Sequence, residues 1–463
     1  MSTFSGISGA LSALHSQRRG LDVAGQNVAN ANTEGYTRQR VQMQAVAGSS
    51  APALWSTSKD VGNGVAVADV QRMRDGFLEG RARTEHAQGA YLNNQKALHA
   101  SIENVFAEPS DTALQAQMAD FWSAWGDAGL HPEDLAARAA LIQRGTVVAD
   151  GLRSAYDAMS SQWISERSFL QAQVVDVNTT AATVAMLNSS ILTAQTSGLP
   201  INEMADQRDI HLMNLAKLTG ATASVRKNGT VDVYLGGSSL VSGMNSRKVE
   251  AFGANRLQDQ PLGAQLPGSV GVRWTDTGSA VTAGGSVGAT METLTQVMPY
   301  YGGALDDVAA TLASTVNTQH ALGYGLDGGT GRAYFTGSTA AGMHVNLTAD
   351  QLGLSLSAGT LDGSNADKLA GFGRLPGGAD RTYQEMIANL GVAAQSVERR
   401  SDIQNSMTAD LDSARASASG VNLDEEMTNM LSYQRAYEAA SRVLTTIDGM
   451  LDQLINRTGL VGR

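Results

Sequence analysis

The stretch LDEEMTNMLSYQRAYEAASRVLTTIDGMLDQL, residues 423–454, decides how this chain is read. Leu423, Met430, Tyr433, Tyr437, Ala440, Leu444, Ile447, Leu451 and Leu454 recur on steps of three, four and seven, with Glu426 as the one charged break. That is the rhythm of a single helix face. The other end of the chain repeats it: Phe4, Ile7, Leu11, Leu14, Leu21 and Val28 form a heptad stripe interrupted only by Arg18 and Gly25. Stripes this narrow bury little on a lone helix and require a partner surface. The simplest partners are each other and further copies of the chain. The expected seam sets Ile7, Leu11, Leu14, Leu21 and Val28 against Met430, Tyr437, Leu444, Ile447, Leu451 and Leu454, within a subunit or between subunits. Such a chain is built to polymerise.

Between the two ends the texture alternates. Helical rhythm lapses over 41–70, where Gly48-Ser49-Ser50, Pro52 and Gly62-Asn63-Gly64 punctuate short strand-like pieces. It resumes over 71–106, and Ser110 or Asp111 is placed to cap the helix that follows. The longest helical pattern covers 133–196, with Gly145 and Gly151 as points of bending or division. Residues 220–285 are rich in glycine and strand-like, and Asn228-Gly229 predicts a tight two-residue hairpin. Few large apolar residues there predict a β domain with a thin core. Helix returns near Ser286 with a break expected at Pro299, 323–380 reads as strand-like again, and a last helical region opens near Thr382. The fold class is therefore α+β, mainly α: paired terminal helices, a helical middle and an inserted Gly-rich β domain.

Composition narrows the function. A net charge of -11 supplies no basic surplus to neutralise phosphates, so a nucleic-acid partner is not expected. No apolar run approaches the roughly 20 residues that cross a bilayer, so no membrane insertion is expected. The apolar residues of the N-terminus are spaced by Ser, Gly and Gln and followed by Arg18 and Arg19, unlike a secretory signal. With no cysteine there is neither a disulfide framework nor a thiol nucleophile. The seven histidines, His15, His86, His99, His131, His211, His320 and His344, show no metal-ligand spacing. Phosphate loops and nucleophile elbows are absent, and Asp327-Gly328-Gly329-Thr330-Gly331 occurs once, as a turn would. Neither catalysis nor a cofactor is expected, and Trp122, Trp125 and Trp163 read as core.

The motif ANANTEGYTRQ, residues 29–39, has a physical reading and a family resemblance. Asn30, Asn32 and Thr33 can bond the last helical carbonyls, Gly35 permits reversal, Tyr36 offers an anchor beyond the turn, and Arg38 can pair across an interface. The motif resembles the N-terminal signature of the axial proteins of the bacterial flagellum, the rod, hook and hook-associated proteins, which more often place proline where this chain has Glu34. The C-terminal run SGVNLDEEM at 419–427, followed by YQRAY at 433–437, is similar to the hook-associated junction branch of that family. Gly420, Asn422, Leu423, Gln434 and Tyr437 carry that match beside Asn30, Asn32, Thr33, Gly35, Tyr36, Arg38 and Gln39. Here Asn422 or Asp424 can cap the terminal helix, whose acidic first turn suits the helix dipole. An internal helix running through Val316-Asn317-Thr318-Gln319-His320 to a glycine turn agrees too.

The resemblance implies a structural subunit at the junction of hook and filament, exported through the flagellar apparatus without a cleaved signal peptide. Residues 1–40 and 415–463 would form an inner coiled-coil assembly domain. Residues 41–219, 286–335 and 380–414 would form a mostly helical middle domain, 220–285 an outer β-rich domain, and 336–379 a β-rich excursion. Its partners would be copies of itself, hook protein, the second hook–filament junction protein and an export chaperone holding the C-terminal helix. Two other readings compete: a hook or distal-rod subunit, and a surface-exposed adhesin or interaction protein.

Overall fold

The computed structural model describes residues 3–46, 62–262 and 266–456, with side chains over 6–455 of these. The punctuation at Gly48-Ser49-Ser50 and Pro52, and the side chain of Phe4, lie outside the described residues. The chain leaves through α1 (Thr3–Ala29) and turns into an antiparallel ribbon of β1 (Gln39–Ala45) and β2 (Val65–Arg72). The helical body follows: α2 (Gly76–Phe106), α3 (Leu114–Leu130), α4 (Leu135–Thr196) and α5 (Asn202–Thr219). A β segment carries β3 (Thr222–Val225), β4 (Val231–Leu235), β5 (Ser238–Ser242) and β6 (Asn245–Ser246) in one antiparallel sheet of sequential order. Beside it β7 (Val249–Phe252) pairs with β8 (Gly271–Trp274). Then come α6 (Gly285–Glu292), α7 (Met298–His320), the short pair β9 (Phe335–Thr336) and β10 (His344–Val345), and α8 (Ser364–Ala370). Finally α9 (Ala379–Ser419) returns along α2, and α10 (Leu423–Asn456) returns along α1.

Local chemistry sets the helix starts. Asp75 accepts from the amides of Phe77 and Leu78 at the head of α2, and Asp134 from Ala136 at the head of α4. Neither Ser110 nor Asp111 caps α3. Its start lies three residues further on, and the Glu108 carboxylate reaches forward to the amide of Gln115 at 3.1 Å. Helix α4 runs 62 residues without division. Gly145 is there for close packing, since a Cβ would collide with the Tyr334 hydroxyl. Pro299 does not end its helix either: it sits in the first turn of α7, and the widened π turn at Thr293–Val297 joins α6 to α7 ahead of it.

The β segment differs from the thin-cored unit expected. Val231, Val233, Leu235, Leu240, Val241, Val249, Val272 and Trp274 are buried in the same continuous core as the helices. Asn188 of α4 stitches the two together, donating to the carbonyls of Val231 and Gly243 at 2.8 and 2.7 Å. The hairpin between β3 and β4 is also wider than two residues. Arg226 and Thr230 face each other, Gly229 alone takes positive φ, and Asn228 accepts from Thr230. This is a three-residue loop with its glycine in the left-handed position. Residues 336–379 are not β-rich: they hold the two-residue strand β10, two short 3-10 turns and α8. The tryptophans are core, with Trp125 and Trp163 fully buried and the Trp163 indole bonded to the Leu294 carbonyl at 2.9 Å.

Candidate assembly interface

Helices α1 and α10 lie antiparallel in a constant register. Gly6 faces Ile447, Gly20 faces the ring of Tyr433, and Asn27 bonds Glu426. Fourteen residues along α1 match fourteen back along α10, and the next seven match seven. The α1 face turned to α10 is therefore the heptad 6, 13, 20, 27: Gly6, Ala13, Gly20 and Asn27. A Cβ on Gly20 would sit 2.7 Å from the Tyr433 ring, so the aromatic side chain lies flat on bare backbone.

This corrects the expected seam. Ile7, Leu14, Leu21 and Val28 occupy the next heptad position, one residue or about 100° around the helix, and are only half-buried. Leu11 is 46 % exposed. On α10, Met430, Leu444, Ile447 and Leu451 are half-buried, while Tyr437 and Leu454 are exposed. The register places positions 11, 14, 21 and 28 opposite 442, 439, 432 and 425. Within the subunit this register keeps Ile447 of the expected seam against α1, at Gly6, but does not set Leu11, Leu14, Leu21 or Val28 directly opposite any of the expected α10 residues. Steric closeness chose the small face: helices approach more closely over glycine and alanine than over leucine.

At the body end of this pair, the 29–39 motif forms a polar hub. Asn30 turns back to the Gln26 carbonyl at 3.0 Å, and Tyr36 N–H bonds the Thr33 carbonyl. Gly35 takes φ 77° with Ile210 packed against it. Beyond the turn, Asn27 is 1 % exposed and fully engaged. Its amide donates to the Gln39 carbonyl at 2.8 Å and to Glu426 at 3.0 Å. Its oxygen accepts from the Tyr36 hydroxyl at 2.8 Å and from the Gln39 amide at 2.9 Å. Arg38 closes the other side of Glu426 at 2.7 Å and reaches Glu425 at 2.8 Å. Burial, then the carboxylates of Asp206, Glu203 and Glu426, push the Tyr36 hydroxyl up to about 12, so it stays a donor.

The hub also fastens the pair to α5 and the ribbon. Thr37 N–H meets Asp206 at 3.1 Å, Arg72 bridges Asp206 and Asp209 at 2.8 Å each, and Asn202 donates to the Gln39 side chain at 3.0 Å. Where α9 passes into α10, a Cβ on Gly420 would strike the Ala416 carbonyl, and Asn422 caps α10 through the amides of Asp424 and Glu425. Asn32, Thr33, Leu423 and Gln434 lie exposed. A polar cleft of about 440 Å³ opens beside the turn, lined by Glu79, Asp209, Asp412 and Arg415 among others. Its charges largely pair among themselves, Arg415 with Glu79 and His86 with Asp412, both at 3.0 Å. Among the described residues no His, Asp or Glu group is arranged to hold a metal, and no helix is long and apolar enough to cross a membrane.

Hydrophobic rhythm alone misses Gly6, Gly20, Asn27 and Glu426. On α1 the signal was a second heptad of small or polar residues running one position behind the leucines, and on α10 it was the charged break in the stripe at Glu426.

Two termini locked side by side onto a long helical body define a mainly helical protein built around its own joined ends. Residues 99–335 match the flagellar hook-associated protein FlgK helical domain, and these 237 of 463 positions are more than half the chain. The chain belongs to that flagellar hook-associated family. Its ends match models shared with the rod: residues 8–37 the flagella basal body rod protein, and 413–457 the flagellar basal body rod FlgEFG protein C-terminal region. Among curated relatives, it is 28 % identical to flagellar hook-associated protein 1 of Bacillus subtilis (strain 168), covering 100 % of both chains. It is 24 % identical to the protein of that name from Escherichia coli (strain K12), over 97 % of this chain and 99 % of that one. The fold is similar to that of the flagellar hook junction protein FlgK from Burkholderia pseudomallei, with a TM-score of 0.62 and 14 % identity. That match covers 73 % of this chain and 100 % of the other.

Proposed function

We infer that the chain is a structural subunit of the bacterial flagellum that forms the junction between hook and filament. The observation that carries this is the helical body at 99–335, because the terminal signatures alone are shared with rod proteins. The antiparallel terminal pair is the element through which copies would pack, with exposed Leu11 and the half-buried edge of Ile7, Leu14, Leu21 and Val28 available to a neighbour. Hook protein on one side and a second junction protein on the other would be its axial contacts. Export would proceed through the flagellar apparatus without cleavage of the N-terminus.

An export chaperone would hold α10, whose Leu423, Met427 and Leu431 line one exposed flank on steps of four. Chaperone binding that survives removal of residues 423–463 would sink that part.

The junction role is tested by electron microscopy of cells lacking the chain, with flagellin assayed in the medium. Hooks without filaments plus shed flagellin are expected. Missing hooks would move the subunit to hook or rod, and normal flagella would overturn the assignment.

A further inference from the structure

The apolar contacts between α1 and α10 mark the register at one place, where the Tyr433 ring lies against Gly20. If α10 slid by seven residues toward the N-terminus of α1, Tyr433 would move from Gly20 to Ala13 and Ala440 to Gly6. Small residues would still meet the same side chains, as a heptad repeat allows, but the Ala13 Cβ would press on the Tyr433 ring where Gly20 leaves it room. The other change is polar. Glu426, 3 % exposed in place, would leave Asn27 and Arg38 and come to lie over Gly20, a heptad away from both donors. A buried carboxylate stripped of its partners is strongly disfavoured, whereas the same carboxylate in place is satisfied on both oxygens.

We propose that Asn27 and Glu426, with Arg38 as second donor to the carboxylate, are the residues that specify the pairing register of the two terminal helices. The pair acts as a single buried polar position acts in a coiled coil: it reinforces, beyond the fit of Tyr433 on Gly20, one alignment among several that a heptad repeat offers. Even an isosteric change breaks it. Glu426→Gln must turn an NH₂ toward either the Asn27 amide or the Arg38 guanidinium. Asn27 cannot flip to relieve this, because its oxygen already accepts from Tyr36 and Gln39.

The natural absence of cysteine makes the test clean. Full-length chains carry Gly6→Cys with Ile447→Cys, which reports the observed register, or Gly6→Cys with Ala440→Cys, which reports the slipped one. A short bismaleimide cross-link is quantified by mass spectrometry. In the otherwise unchanged chain the first pair should dominate; dominance of the second would overturn the register itself. Adding Asn27→Leu and Glu426→Leu keeps the interface apolar, and the ratio of first to second should fall at least tenfold. An unchanged ratio there overturns the proposal. Should the leucine chain fail to fold, Glu426→Gln is read instead, and a ratio unchanged in it overturns the proposal equally. A loss of stability alone would lower both cross-links together, so the ratio separates register choice from general weakening.

Discussion

The helical body and the terminal pair are both made of long helices, yet they are held together in opposite ways. In the body, Phe121, Trp125, Trp163 and Tyr334 are fully buried, and polar atoms such as the Trp163 indole find carbonyls inside the core. In the terminal pair the contacting face is glycine, alanine and asparagine, while leucines stand at its edges. The body satisfies its apolar surface within one chain. The pair closes with a polar lock and leaves Leu11, Met427, Leu431 and Leu454 uncovered. A monomer of this design has one part that buries its apolar surface and one part that leaves apolar side chains exposed.

That contrast can be broken most directly in the body. Trp163→Ala removes a fully buried side chain and its bond to Leu294, and should cost about 3–5 kcal/mol of stability in denaturant unfolding. If the loss is under about 1 kcal/mol, the body is not the rigid part. In the pair, Asn27→Ala strands the Gln39 amide and one Glu426 oxygen, for a cost of about 1–3 kcal/mol. Hydrogen exchange should report that loss in α10 and leave α4 unchanged; equal loss in both would mean that the two regions unfold as one. Ile447→Asp places a charge against Gly6 and should abolish assembly while the body's unfolding midpoint stays in place.

A pH effect is expected to be smaller and confined to the body. His320 is buried between the Trp125 and Tyr334 rings, with Nδ1–H donating to the Arg332 carbonyl at 2.7 Å and Nε2 accepting from the Gly353 amide at 2.9 Å. Burial chiefly lowers its pKa in the folded chain, so the imidazole is held neutral. Its contribution is full above the unfolded value of about 6.5 and is lost as pH falls from there toward the folded value. Stability of wild type and His320→Gln across pH 7 to 5 should converge on acidification; parallel curves would remove His320 as the cause. Smallest of all for the monomer is Leu11→Asp, which should shift unfolding by no more than about 0.5 kcal/mol. In cells it should nevertheless impair filament attachment, and wild-type attachment would refute the outward role of that edge.

Much of this was legible before the structure. The heptad rhythm of 423–454 announces α10, Asn422 or Asp424 marks its start, of which the structure uses Asn422, and the 29–39 motif marks the reversal after α1. The facing of α1 was not legible. Hydropathy finds the leucines, but a glycine that admits a tyrosine ring carries no hydropathic signal. Glu426 reads as a flaw in the stripe because a lone sequence does not show that Asn27 and Arg38 stand opposite it. The β segment misled for a similar reason: its valines looked too few for a core, and α4 supplies the other half.

The sequence by itself determined the terminal helices and the family: their helical period, the Asn422–Asp424 start and the glycine turn at Gly35 are properties of neighbouring residues. Only tertiary structure decided which face of α1 meets α10, in what register, and that the β strands share the helices' core. Those are choices among surfaces brought together from opposite ends of the chain. They turn on side-chain volume and on satisfying buried polar groups, which have no value until the partner is in place.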